Sequence, residues 1–151
     1  MNKIALITVL VSMLLFASTP AWGKKTREDR EAMRKEMTDF KIQYLSQEME
    51  LNADQQARFA ELYRKMSQER RKIFQETYEL DKRVRNNKNA TEADYQAASR
   101  AITQAKERDA ELEKAYDSQF ATFLSSKQIF KMKSGEQKFR DKMRKMRKHK
   151  K

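Results

Sequence analysis

The chain carries few residues whose types and spacing could do covalent chemistry. Its single histidine, His149, stands two residues from the C-terminus, cysteine is absent, and no glycine-rich phosphate loop or His-Glu-x-x-His pair occurs. Disulfides and thiolate chemistry are excluded together, and with no nucleophile and base in a supporting context an enzyme is not expected. Met143, Met146 and His149 recur at three-residue steps. On a helix they would share one face, and two thioethers with an imidazole suit a soft ion such as Cu(I). The two methionines also continue an apolar stripe, so packing accounts for them, and neither a metal nor another cofactor is expected.

What remains is the chemistry of contact, and charge is its most uneven ingredient. The net charge is +12, yet Lys24 to Glu50 holds seven basic and seven acidic residues, whereas Lys131 to Lys151 holds eleven basic against two acidic. In a cytosolic protein such a tail would point to nucleic acid. Here Phe139 is its only aromatic after Phe130, so base stacking has little to use and specific nucleic-acid binding is not expected. Anionic lipid, another polyanion or acidic client proteins are the expected partners of the basic tail.

The N-terminus reads as an export signal: Lys3, an apolar run from Ile4 to Ala17, the breaker Ser18-Thr19-Pro20, then Ala21-Trp22-Gly23. The run is too short to span a bilayer comfortably, and small residues occupy the positions a signal peptidase inspects. Cleavage after Gly23 is expected, with an uncleaved anchor as the alternative. The chain then divides into a signal peptide (1–23), a helical domain (24–147) and a short basic disordered tail (148–151). With 38% apolar and 37% charged residues, and Gly135 as the one glycine after the signal, long polar helices are expected.

The elements that must position any contact surface are announced by their first turns. Leu51-Asn52-Ala53-Asp54-Gln55 returns in altered letters as Leu124-Ser125-Ser126-Lys127-Gln128. In both, a short polar residue follows leucine and glutamine stands three places on, the spacing of a capping box. Leu124 has Ile129 at stapling distance; Leu51 meets Gln56 there and must use Phe59. Thr26 with Asp29 and Thr91 with Asp94 have the same spacing, so four helices are expected. They run from Thr26 to about Glu48, from the Leu51 box to about Arg85, from Thr91 past Phe120, and from the Leu124 box to just before Lys148. Asn86 to Asn89 makes the turn between the second and third.

The stripes on these helices are narrow. Met33, Met37, Phe40, Tyr44 and Leu45 mark the first; Phe59, Leu62, Tyr63, Met66, Ile73, Thr77, Leu80 and Val84 the second. Tyr95, Ala98, Ile102, Ala105, Leu112, Tyr116 and Phe123 mark the third, with Asp109 breaking the pattern, and Ile129, Met132, Phe139, Met143 and Met146 the fourth. The predicted architecture is an all-α, elongated antiparallel hairpin of long helices, about 45 Å at 1.5 Å per residue, with flanking N- and C-terminal helices. One narrow stripe per helix cannot close a deep core, so a homodimer is expected.

An exported, Cys-free, all-helical chain with Leu-Asn-Ala-Asp-Gln opening its second helix and Leu-Ser-Ser-Lys-Gln its fourth resembles the CpxP/Spy family of periplasmic proteins, defined by two Leu-Thr-x-x-Gln motifs. Both threonines are exchanged, for Asn52 and Ser125, each still a good N-cap. The resemblance implies a periplasmic location, a cradle-like antiparallel dimer, and an ATP-independent chaperone that holds unfolded or envelope-stress clients on a basic, partly apolar face. The residues permit that mechanism: cations speed encounter, and methionines make adaptable contacts. The candidate face comprises Arg30, Met33, Arg34, Lys35, Met37, Phe40, Lys41 and Tyr44, with packing of this helix on the hairpin as the alternative reading of the same stripe. The alternatives are a stress-response regulator or metal-responsive partner of an envelope sensor, and a polyanion- or membrane-surface-binding protein.

Overall fold

The computed structural model describes residues 26–148, and within them the chain is all-α: α1 (Arg27–Glu48), α2 (Ala53–Asn86), α3 (Glu92–Phe120) and α4 (Ser126–Lys148). Residues 1–25 and 149–151, which include the signal segment 1–23 and, with His149, the last three residues of the 148–151 tail, lie outside the described residues. No helix among the described residues is long and apolar enough to cross a membrane.

Each helix starts where a short polar side chain can take over a free amide. Thr26, Asn52 and Thr91 cap α1, α2 and α3, and each box is closed by the return bond from Asp29, Gln55 or Asp94. Ser125 does the same for α4: the Gln128 amide donates to Ser125 Oγ at 3.2 Å and the Ser125 amide to Gln128 Oε1 at 2.9 Å. The end of α1 is equally local. Glu50 takes a left-handed conformation (φ 54°), and the Leu51 amide donates to Ser46 O and the Glu50 amide to Gln47 O. This is the Schellman pattern, with glutamate where glycine is usual.

The core forms where all four helices meet. Leu45 and Met49 of α1 and its exit, Leu51, Phe59, Tyr63 and Met66 of α2 and its entry, Tyr116 and Phe120 of α3, and Leu124 and Met132 make one buried cluster. Phe59 anchors it, its ring centroid 5.2 Å from Tyr63 and 5.5 Å from Phe120. Leu51, Phe59 and Leu124 share this cluster and Ile129 packs against it. A core thus closes within a single chain at this end, contrary to expectation, because four thin stripes converge on one place.

Beyond it, α2 and α3 continue as a pair. Partners climb one helix as they descend the other: Tyr116 with Glu69, Asp109 with Arg70, Arg108 with Glu76. Asp109, the break in the third stripe, receives Arg70 Nε at 2.5 Å. The buried residues here are Ile73, Val84, Ala98 and Ala105, while Phe74, Tyr78, Tyr95 and Ile102 are exposed. Tyr95 and Ile102 were expected inside; alanines hold the contact instead, since two helices bury only the strip between their backbones.

Gly135 does not interrupt the chain. It lies buried within α4, and a Cβ there would stand 2.9 Å from Leu45 Cδ2. The missing side chain lets α4 approach α1.

Candidate binding surface

The two related motifs meet in space. Gln55 Nε2 donates to Gln128 Oε1 at 3.3 Å and Gln128 Nε2 to Gln55 Oε1 at 3.2 Å, while Gln55 Nε2 also reaches Phe123 O at 3.0 Å. Each glutamine oxygen also accepts from its own cap, from Asn52 N or Ser125 N. Leu51 and Leu124 are buried below, and Asn52 and Ser125 stay at the surface. The motif residues Leu51, Asn52, Gln55, Leu124, Ser125 and Gln128 therefore form one structural clamp joining the starts of α2 and α4.

A second junction ties α1, α2 and α4 through a carboxylate. Lys41 Nζ donates to Glu136 Oε1 at 3.0 Å, and the Tyr63 hydroxyl donates to the same oxygen. Burial acts against the charge on Glu136, but the Lys41 ammonium, the Tyr63 hydroxyl and the more distant Arg70 outweigh it and hold the carboxyl below its usual range. Burial first, and the adjacent carboxylate second, push the Tyr63 phenol far above its ordinary value. Lys41 also lies over the Tyr63 ring, 5.3 Å from its centroid.

Around this junction the proposed contact residues divide. Arg30, Met33, Arg34, Lys35, Met37 and Phe40 are exposed on α1. Lys41 and Tyr44 are half-buried: Lys41 serves Glu136, and Tyr44 packs on Phe139 with ring centroids 5.5 Å apart. Phe40 also packs on Phe139, with ring centroids 5.8 Å apart. Between α1 and α4 runs an open groove of about 600 Å³, walled by Met37, Phe139, Met143 and Met146 and rimmed by Lys41, Arg140 and Arg144.

Two of these features are absent from the sequence reading. Glu136 is one of only two acidic residues after Lys131, and that isolation was the available signal. The other, Asp141, pairs with Arg144 at 3.1 Å. Met143 and Met146 are joined by Met37 rather than by a described histidine. The cations on the rim oppose a metal ion there, and no cluster of His, Cys, Asp and Glu able to hold a metal occurs among the described residues.

Every buried side-chain nitrogen and oxygen among the described residues has a partner. The arrangement offers methionines, aromatic rings and cations at the surface, a chemistry of adaptable contact. The fold and surface define an all-α helical protein. Comparison with protein-family models, curated proteins and solved structures finds no match for the chain.

Proposed function

We propose that the protein is an ATP-independent periplasmic chaperone of the CpxP/Spy type, which holds unfolded or envelope-stress client proteins on the exposed part of α1. The observation that carries this reading is the exposure of Met33, Met37 and Phe40 on one helix whose flanks present Arg30, Arg34 and Lys35. Soft apolar groups set among cations bind extended chains without requiring one partner shape. The two Leu-polar-x-x-Gln boxes support the family assignment, and the Ile4 to Ala17 run supports export with cleavage after Gly23.

The same reading makes the protein a cradle-like homodimer of antiparallel α2–α3 hairpins. Phe74, Tyr78, Tyr95 and Ile102 leave apolar surface on that pair which a second copy would cover.

The test is suppression of aggregation of an unrelated denatured protein in the absence of nucleotide. Equimolar protein is expected to suppress light scattering by more than half. The Met33→Gln, Met37→Gln double variant is expected to lose most of that effect with its helical circular dichroism unchanged. No suppression at several-fold excess would overturn the chaperone reading in favour of a sensor's regulatory partner.

A further inference from the structure

We propose that the groove between α1 and α4 binds a single-chain fatty-acid carboxylate, with its alkyl chain along the methionines and its head on Arg140. This does not depend on the chaperone reading, although Met37 belongs to both surfaces. The walls are Met37, Phe139, Met143 and Met146, and the volume of about 600 Å³ is that of a small-molecule site. Phe139 to Met146 spans about 10 Å at 1.5 Å per residue, the reach of a medium-length alkyl chain. Thioethers on unbranched stems adapt to such a chain without a fixed shape.

The rim selects the head group. All three polar lining residues, Lys41, Arg140 and Arg144, are cationic. Lys41 is engaged by Glu136 and Arg144 by Asp141, whereas Arg140 forms no ion pair among the described residues. A planar guanidinium beside an apolar wall matches a carboxylate through two parallel hydrogen bonds. Neutral amphiphiles could use the walls but not that head contact, and small anions could use the head contact but not the walls.

The experiment is calorimetric titration of the full chain lacking residues 1–23 with straight-chain carboxylates of increasing length, each below its micelle threshold. One site per chain is expected. Affinity should rise about fourfold per methylene, as burial of each requires, until the groove is filled, and then level off. A neutral alcohol of equal length should bind at least about tenfold more weakly, the worth of a hydrogen bond to a charged group. Arg140→Glu should weaken the carboxylate by about tenfold or more, whereas Lys106→Glu, an exposed cation on α3, should leave it unchanged. Both variants should keep the wild-type helical circular dichroism and melting temperature. Absence of saturable binding, affinity rising with length without a plateau, or equal weakening by the two charge reversals would each overturn the assignment. The aggregation assay of Arg140→Glu, which leaves Met33, Met37 and Phe40 in place, reports separately on the chaperone reading.

Discussion

The end of the molecule where four helices meet and the far half of the α2–α3 pair are built from the same kind of amphipathic helix, yet they bury their side chains differently. At the first, Phe59, Tyr63, Phe120, Leu45 and Met49 are sealed, and polar links from Gln55, Gln128, Glu136 and Lys41 cross between helices. At the second, the inward positions hold Ile73, Val84, Ala98 and Ala105, while Phe74, Tyr78, Tyr95 and Ile102 face out. Composition does not separate the two regions. The number of neighbours around each helix does, because an aromatic ring is enclosed only when a third element covers the side that a two-helix contact leaves open. Stability therefore belongs to one end, and surface available for partners belongs to the other and to the exposed flank of α1.

The sharpest way to break this contrast is to truncate rings in both places. Phe59→Ala removes the centre of the buried cluster and should cost about 4 kcal/mol, transfer and cavity contributions together. Tyr78→Ala removes a mostly exposed ring and should change stability by less than about 0.5 kcal/mol. Urea unfolding measured at low protein concentration checks both. Equal costs would show that the two regions are not distinct. A Tyr78→Ala cost that grows with protein concentration would show that a second copy covers the far half of the pair.

The half-buried Glu136 carboxylate sharpens the contrast further, since it is a polar device found where helices converge. Glu136→Gln leaves Lys41 half-buried without its anion and should cost about 2 kcal/mol near neutral pH. Its pH dependence has a definite sign. The folded-state pKa of Glu136 lies below its ordinary value of 4.5, so its stabilisation is fully present above 4.5 and is lost as pH falls through the lower, folded value. Thermal melts across the acid range should show the wild type losing its advantage over Glu136→Gln below pH 4.5. A constant difference down the acid limb would mean that the charge of Glu136 does not matter.

How much of this was legible in the sequence follows from how local each cause is. Helix starts were readable because a cap and its glutamine or aspartate lie three residues apart: α1, α2, α3 and α4 begin at the boxes named by Thr26, Asn52, Thr91 and Ser125. The exposed residues Met33, Met37 and Phe40 were readable as members of a sparse stripe. Convergence was not. Lys41 and Glu136 are 95 positions apart, and no periodicity along α1 announces that α4 will claim Lys41 and Tyr44 for packing. Nothing in the sequence announced what Gly135 does, because its role is set by Leu45 on another helix. Asp109 read as a defect in the third stripe for the same reason, its partner Arg70 being 39 positions away.

A smaller loss tests whether the repeated motif is merely two helix starts or one clamp. In an isolated capping box glutamate serves as well as glutamine, because either side chain can accept from the cap amide. The link between Gln55 and Gln128 makes a further demand, since each side-chain nitrogen donates to the other's oxygen, and a carboxylate has no such donor. Gln128→Glu should therefore keep the Ser125 cap and still lose about 0.5 to 1 kcal/mol. The Gln55→Glu, Gln128→Glu double variant brings two carboxylates together and should lose more than the sum of its singles, with a coupling of at least about 0.5 kcal/mol. Urea unfolding of the four proteins at neutral pH measures this coupling directly. Additive, near-zero effects would reduce the motif to two independent caps and place the joining of α2 to α4 on Leu51, Leu124 and the apolar core alone. A measured coupling would place the two side chains against each other, as the reciprocal hydrogen bonds of Gln55 and Gln128 require.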